Sequence, residues 1–276
     1  MDSEISILSW GQRASDSPPV PAMPRRDRLL EAVIAHEQVD VFYQPQIQLQ
    51  TGQVVGAEAL ARWGDATSAD HLFARASASG LSERLSRLMQ RKALRAAATW
   101  EGPLRNLHVS INLLPQDICR KEYDRWLFDE IEAAGVEPKR ITLEITESAL
   151  LEQNDAVVGR LAAFRAAGLR VAVDDFGTGY ASLAYLTSLP LDVLKIDRGL
   201  VNDIVGSSRA RIVLQAMIRM AHELGLEVLV EGVESAAQLG LLHEWGCDVY
   251  QGFVGAGALD ELELGRFVRT ANAVSA

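Results

Sequence analysis

Hydrophobic and polar positions along this chain follow two alternating patterns. Short apolar runs rich in β-branched residues predict strands, and longer stretches whose apolar residues recur every three or four positions predict amphipathic helices. The predicted strands are Val41–Leu49, Val54–Trp63, Leu107–Leu114, Ile141–Thr146, Leu169–Val173, Val193–Asp197, Glu227–Glu231 and Val249–Val254. The predicted helices are Arg26–Glu37, Ala69–Trp100 with a break at Gly80, Ile118–Ala134, Asn154–Ala167, a short helix from Tyr180, Ser207–Leu224, Ser235–Trp245 and Leu259–Thr270.

Strands that alternate with helices indicate βα units around a parallel sheet. Eight such units in roughly 250 residues predict an α/β fold, a modified (β/α)₈ barrel of the TIM type. A tight turn at Thr51-Gly52 joins the first two strands, so one of them is expected to run antiparallel. The barrel domain is expected at residues 25–276, and the proline-rich residues 1–24 are expected to form a flexible tail or linker.

Composition and charge narrow the classes of function. The 276-residue chain has a net charge of −10, which disfavours a DNA-binding role but permits a small phosphorylated ligand held by metal ions. Cys119 and Cys247 fit no metal-binding spacing, so a reducing, cytoplasmic location is expected. No apolar run reaches the roughly 18 to 20 residues of a membrane span, and the N-terminus lacks the features of a signal peptide.

Polar residues lie within or just after seven successive predicted strands. Asp174 and Asp175, side by side at the end of one strand, could simply terminate it and cap a turn. A buried carboxylate, however, is costly unless it is paired or bound to a metal, and the C-terminal strand ends of such a barrel converge on its active site. The polar residues at these strand ends are Glu58, Asn112, Glu144, Asp174, Asp175, Lys195, Glu231 and Gln251.

This set of oxygen donors suits divalent cations such as Mg²⁺ or Mn²⁺. Two such ions about 4 Å apart are the arrangement used in phosphoester hydrolysis. Lys195 has two alternative uses between which the sequence does not choose. It either neutralises the carboxylates as a structural cation, or it holds and polarises the attacking water.

The motifs around these residues resemble those of the EAL family of cyclic-di-GMP phosphodiesterases. Glu58-Ala59-Leu60 followed by Arg62-Trp63 matches the family signature, and the likeness covers roughly residues 26 to 270. The other matching motifs are Tyr43-Gln44-Pro45, Ser110-Ile111-Asn112-Leu113, Leu143-Glu144-Ile145-Thr146-Glu147, Asp174 to Leu183, Leu194-Lys195-Ile196-Asp197, Glu231-Gly232-Val233-Glu234 and Gln251-Gly252-Phe253. So many motifs in this order make the resemblance specific, which Glu-Ala-Leu alone would not.

The resemblance implies hydrolysis of cyclic di-GMP to linear pGpG at a two-metal site, and it implies a homodimer. Asp174 is the expected bridging ligand of the two ions. The full set of metal ligands that the resemblance implies is Glu58, Asn112, Glu144, Asp174, Asp175 and Glu231.

Matching positions also imply roles outside the metal ligands. Lys195 is expected to contact the nucleophilic water and Gln251 to lie near it, which makes both, with Glu58, the expected catalytic residues. Gln44 and Arg62 match substrate-contacting positions, and Glu147 matches a loop-stabilising glutamate.

Two loops depart from the family pattern, one after Trp63 and one after Phe253. The second reads VGAGALDEL and has no cation or ring at residues 256–258, where the family has an Arg- or Lys-Pro pair. Weaker substrate binding with retained chemistry is therefore expected. The alternatives are a catalytically weak or inactive cyclic-di-GMP receptor or protein-interaction domain, and a two-metal hydrolase of another phosphoester. The complete ligand set favours the active enzyme.

Overall fold

Eight strands close into a barrel, in sequence order, within residues 26–64, 69–146, 155–177 and 184–274, which the computed structural model describes. The strands are β1 (Asp40–Gln48), β2 (Val54–Arg62), β3 (His108–Leu113), β4 (Ile141–Thr146), β5 (Arg170–Phe176), β6 (Val193–Ile196), β7 (Glu227–Val230) and β8 (Val249–Tyr250). The predicted (β/α)₈ barrel is confirmed.

Helices cover the outside of this barrel. They are α1 (Arg28–Ala35), α2 (Ala69–Ala78), α3 (Ser82–Thr99), α4 (Pro115–Cys119), α5 (Tyr123–Ala134), α6 (Asp155–Ala166), α7 (Ala184–Ser188), α8 (Arg198–Val201), α9 (Ser208–Glu223), α10 (Ala236–Glu244) and α11 (Glu261–Val274). Their apolar faces bury side chains such as Leu127, Phe164 and Leu214 in one core with the outward-facing residues of the strands. The serine side chains of Ser207 and Ser235 cap α9 and α10 by accepting backbone N–H hydrogen bonds.

The first strand runs against the direction of its neighbours. β1 is antiparallel to both β2 and β8, and the other neighbouring pairs are parallel. Asp40 lies opposite Arg62, so the first half of β1 shares a rim with the C-terminal ends of the other strands. The predicted antiparallel strand is thereby confirmed. Between β1 and β8 the barrel is closed by two residue pairs, Ile47 with Tyr250 and Gln48 with Val249.

Small side chains leave space in the lower half of the barrel. Ala172, Val193, Leu229 and Val249 form an inner apolar layer. They border a cavity of about 400 Å³ whose wall includes the first residues of β3, β5 and β7. This lower cavity therefore lies at the N-terminal end of the barrel.

Several elements differ from their predicted bounds. The predicted helix Ile118–Ala134 is interrupted by Glu122, which has a left-handed backbone conformation (φ 65°) and separates α4 from α5. β8 ends at Tyr250, and the next residue, Gln251, donates its backbone N–H to the Val230 carbonyl and accepts from the Val233 N–H. β5 instead continues through Asp174 and Asp175 to Phe176.

Some predictions fall outside the described residues. They include the tail or linker at residues 1–24, the role of Glu147, most of the loop that follows Trp63, and the start of the short helix predicted from Tyr180. The domain boundary at residue 25 stays a prediction. Among the residues with described structure, no helix is both long enough and apolar enough to traverse a lipid bilayer.

Candidate active site at the mouth of the barrel

Seven neighbouring strands bring polar side chains to the C-terminal end of the barrel. Parallel register sets them side by side, with Asn112 opposite Glu144 and Thr146 opposite Asp174. Glu231 and Gln251 follow directly after β7 and β8. The residues of this polar ring are Glu58, Asn112, Glu144, Asp174, Asp175, Lys195, Glu231 and Gln251.

Lys195 lies at the centre of the polar ring and is only 1% exposed. Its Nζ lies 2.8 Å from Glu144 Oε2, 2.9 Å from Asp174 Oδ1 and 2.8 Å from Glu231 Oε1, with Glu58 Oε2 at 3.7 Å. Burial by itself lowers the pKa of Lys195, but the surrounding carboxylates outweigh it and hold that pKa well above its usual value. The side chain is therefore a fixed cation.

Two amides hold the Glu58 carboxylate from either side. Asn112 Nδ2 donates to Glu58 Oε1 at 2.9 Å, and Gln251 Nε2 donates to Glu58 Oε2 at 2.6 Å. Gln251 Nε2 also donates to Gln44 Oε1 at 3.1 Å. Burial raises the pKa of Glu58, but Lys195 and these amides outweigh it and keep the pKa below its usual value. Glu58 is therefore a carboxylate with fixed orientation.

Asp174, Asp175 and Glu231 form a group of acids that faces the open side of the ring. One oxygen from each lies within 4.8 Å of the others. Burial and the charge of Asp174 raise the pKa of Asp175 to about 6. Burial raises the pKa of Glu231 to about 8, although Lys195 pulls it down. Like charges held this close are stabilised by a cation.

Asp175 has the backbone conformation of a strained residue. Its φ is 56°, in the left-handed region that residues with a side chain seldom adopt. Its N–H donates to Asp174 Oδ1 at 3.0 Å. Such strain persists where the surroundings impose it and is concentrated at functional sites. Here the strained residue has a carboxylate oxygen within 4.8 Å of oxygens of Asp174 and Glu231.

The donor set fits divalent cations. It consists of carboxylate oxygens and one amide, the ligands that Mg²⁺ and Mn²⁺ prefer. Glu144 Oε1 is buried and has no hydrogen-bond partner among the described residues. Burial, with the charges of Glu58 and Asp174, raises the pKa of Glu144 well above normal despite Lys195. An unsatisfied oxygen beside a cluster of acids can be a metal ligand.

A cleft of about 490 Å³ opens above the polar ring. Its wall includes Gln44, Asp175, Glu231 and Gln251, together with apolar residues of β2 and α2 such as Leu60 and Phe73. Glu144 and Lys195 line the lower cavity instead. These two side chains therefore form the floor between the two spaces, with room for a substrate on the upper side.

A buried hydrogen-bond chain that the sequence analysis missed supports β3 from behind. Gln90 Nε2 donates to the Asn112 backbone carbonyl at 2.9 Å and to Ser86 Oγ at 3.0 Å, and Tyr123 Oη donates to Gln90 Oε1 at 2.8 Å. Ser86 in turn donates to Asp117, which is fully buried. The sequence feature that could have predicted this chain is the presence of two polar residues, Ser86 and Gln90, within the apolar face of α3.

Two arginines differ from the predicted set of site residues. The Arg62 guanidinium donates to the neighbouring Ala61 carbonyl at 3.0 Å and does not line the cleft. Arg198, at the start of α8, does line the cleft and was not predicted. A helix of four residues is too short for its periodicity to be read from sequence.

Comparison with known proteins agrees with this geometry. A family model for the EAL domain matches residues 26–257. The cyclic di-GMP phosphodiesterase NbdA of Pseudomonas aeruginosa is 35% identical over 252 residues, which cover 87% of this chain and 31% of NbdA. The chain spans about a third of the length of the curated relatives that it matches first.

Solved structures are similar in fold. The PaMucR phosphodiesterase in complex with cyclic di-GMP has a TM-score of 0.80 and 29% identity, covering 86% of this chain and 98% of that one. Klebsiella pneumoniae BlrP1 with manganese and cyclic di-GMP has a TM-score of 0.73 and 30% identity, covering 80% of this chain and 56% of BlrP1. The barrel, its polar ring and these matches agree, and the chain belongs to the EAL domain family.

Proposed function

We propose that this chain is a metal-dependent phosphodiesterase that hydrolyses cyclic di-GMP to linear pGpG. The observation that carries the proposal is the ring of five carboxylates and one lysine at the floor of an open cleft. Relatives named as cyclic di-GMP phosphodiesterases and neighbours solved with cyclic di-GMP support the choice of substrate.

Two Mg²⁺ or Mn²⁺ ions are the proposed cofactors. When bound, such ions lower the pKa of water, screen the phosphate charge and stabilise the leaving oxygen. A neighbour solved with manganese supports the choice of metal class. The residues that would hold the ions are Glu58, Asn112, Glu144, Asp174, Asp175 and Glu231.

Lys195 provides fixed positive charge beneath the reacting phosphate. An ammonium group has three N–H donors, and here three carboxylates accept all of them. The proposed contact with the attacking water therefore requires one carboxylate to give up its hydrogen bond to Lys195. Lys195 would then have both roles in turn: it neutralises the carboxylates in the resting site and contacts the water once one carboxylate has released it.

Gln251 and Gln44 are proposed to position the substrate and the water from the β1–β8 side. Gln251 is buried and fixed on Glu58, while Gln44 Nε2 donates to the Ala256 carbonyl at 3.2 Å. The proposed role of Arg62 as a phosphate ligand requires its guanidinium to leave Ala61. The stabilising role of Glu147 stays a proposal.

One observation favours the receptor alternative. Residues 255–258 read Gly-Ala-Gly-Ala, so this part of the rim offers backbone groups but no charge to a nucleotide. A domain that binds cyclic di-GMP without turnover would tolerate such a change. The intact acid group at Asp174, Asp175 and Glu231 favours the enzyme, because a receptor needs no arrangement for activating water.

Location and assembly are part of the proposal. Cys119 and Cys247 are not joined in a disulfide, which suits the reducing cytoplasm where we place the enzyme. A homodimer is proposed from the family resemblance. Exposed apolar side chains on α9, Ile212 and Val213, support an interface there.

The first test is hydrolysis of cyclic di-GMP by the purified chain with Mn²⁺ or Mg²⁺, with chromatography of the product. Glu58→Gln keeps the side-chain shape but removes a charged ligand, and we expect it to lower the rate at least 100-fold, as loss of one electrostatic group does in enzymes. Glu132→Gln, an exposed position on α5, is the matched control. Binding of cyclic di-GMP without formation of pGpG would establish the receptor instead. If the chain neither binds cyclic di-GMP nor forms pGpG, both the enzyme and the receptor are refuted.

A further inference from the structure

The wall of the cleft has one basic side chain among its described residues, Arg198. Lys195 lies at the centre of the ring with its three donors engaged and does not line the cleft, and the Arg62 guanidinium donates to a backbone carbonyl away from the cleft. Arg198 is exposed, and its guanidinium forms no hydrogen bond or ion pair within the part of the chain that the structure describes. It is thus a cation available to a ligand.

A close backbone approach holds Arg198 beside the ring. Gly232, the residue after Glu231, has φ 64°, and a Cβ atom there would overlap the Cβ of Arg198. The glycine lets the first turn of α8 lie against the end of β7. On the other side, Asp197 caps α8 by accepting from the Gly199 N–H at 2.7 Å, and its charge contributes to the raised pKa of Asp175. The base of the Arg198 side chain is therefore fixed near both Glu231 and Asp175.

The charges of the ring, the metal ions and the substrate indicate what Arg198 can bind. With its five carboxylates ionised, as metal binding requires, the ring and its ammonium carry four net negative charges, which two divalent cations would cancel. Cyclic di-GMP carries two phosphodiester groups, each with one negative charge. Ions held by the ring would neutralise charge at the phosphate that is cleaved, so the second phosphate would need another cation. Residues 255–258 offer none, and the Arg62 guanidinium would first have to leave the Ala61 carbonyl, whereas Arg198 already lines the cleft.

We propose that Arg198 binds the second, uncleaved phosphate of the cyclic dinucleotide and so selects substrates that carry two phosphodiesters. This inference rests on the proposed function and names a specificity residue for it. The guanidinium suits the task, because its planar donors match two phosphate oxygens at once. Gly232 and the Asp197 cap set the position from which the side chain reaches over the ring.

The test compares two substrates in Mn²⁺: cyclic di-GMP, and bis(p-nitrophenyl) phosphate, which has a single phosphodiester. For Arg198→Gln we expect KM for cyclic di-GMP to rise about tenfold, the effect of losing a hydrogen bond to a charged group, with kcat within about twofold. The rate on bis(p-nitrophenyl) phosphate should not change. Arg198→Lys should recover part of the KM, and added salt should weaken binding to the wild type more than to Arg198→Gln.

Arg209→Gln is the matched control, because this arginine on α9 is exposed and does not line the cleft. An equal rise in KM in both variants would overturn the proposal, as would an equal loss of kcat on both substrates. Thermal unfolding of each variant confirms that it is folded.

A binding measurement in Ca²⁺ tests the role of Arg198 independently of whether the chain hydrolyses cyclic di-GMP. If the wild type does not turn over cyclic di-GMP, its binding in Ca²⁺ is measured by calorimetry. Weaker binding by Arg198→Gln than by Arg209→Gln then supports the arginine site although the phosphodiesterase fails. No binding by the wild type overturns both.

Discussion

Lys195 occupies the point where the carboxylates of Glu144, Asp174 and Glu231 converge, each within 2.9 Å of its nitrogen. The same three carboxylates are also proposed to bind metal ions. Ammonium and divalent ions therefore share ligands, and the protein without metal depends on the lysine for charge balance. This dependence can be measured.

Replacing Lys195 with Met should destabilise the metal-free protein by about 3–5 kcal/mol, because it leaves buried carboxylates without a partner. Added Mn²⁺ should restore part of the loss, since the ions replace the missing charge and bind only the folded chain. Urea unfolding with and without Mn²⁺ measures both effects. Lys121→Met, at an exposed position, is the control. A loss that is the same in both conditions would contradict shared ligation.

Stability without metal should also fall as pH rises. The folded-state pKa values of Asp175 and Glu231 are about 6 and about 8, above their ordinary values of 3.8 and 4.5. Between about pH 4 and 8 the folded chain therefore holds more protons than the unfolded chain, and raising the pH favours unfolding.

Urea titrations at pH 5, 6.5 and 8 measure this slope. Mn²⁺ should flatten it, because the ions favour the ionised carboxylates. Asp175→Asn and Glu231→Gln should each remove part of it. A stability that increases over this range in the absence of metal would contradict the assigned pKa shifts.

The sequence predicted which residue types meet at the site but not how each side chain is directed. Asn112, Glu144 and Asp174 could be placed because strand ends in a parallel barrel converge. The left-handed conformation of Asp175 and the turn of Arg62 toward Ala61 depend on local backbone and tertiary contacts that periodicity does not carry. Arg198 was missed for the same reason.

At the scale of elements, α8 shows how a short helix can shape a site. It is four residues long, begins at Arg198, and is set by Asp197 on one side and Gly232 on the other. Its length hides it from helical periodicity. The boundary between α4 and α5 was hidden similarly, because nothing in the apolar pattern marks the left-handed Glu122.

Gly232→Ala tests the packing of α8. The new Cβ would overlap Arg198, and residue 232 has a left-handed backbone that alanine seldom adopts. We therefore expect a loss of stability of more than about 1 kcal/mol and a rise in KM for cyclic di-GMP. Gly225→Ala is a matched control, since φ is 75° there and no atom lies within 4 Å of the added Cβ. Combined with Arg198→Gln, Gly232→Ala should add little further rise in KM. Additive effects on KM would show that Gly232 acts independently of Arg198.

For the whole molecule, the alternation of strands and helices was sufficient to predict the barrel and its antiparallel start. Each βα unit contains its own hydrophobic pattern, so the units are readable one by one. The bounds of β8 could not be predicted in this way, because the backbone of Gln251 and Gly252 contacts Val233, a residue distant in sequence. The two spaces separated by Glu144 and Lys195 also exist only once the barrel is closed.

The two-pair closure between β1 and β8 has a consequence for assembly. Gln251, just beyond β8, reaches across this seam to Gln44 and Glu58 on the opening hairpin. During synthesis from the N-terminus the hairpin and the acids of β4 and β5 emerge first, and the residues that shut the barrel emerge last. Closing the seam and fixing Glu58 through its second amide are then a single event. A nascent chain arrested before β8 holds every proposed metal ligand but not a finished site.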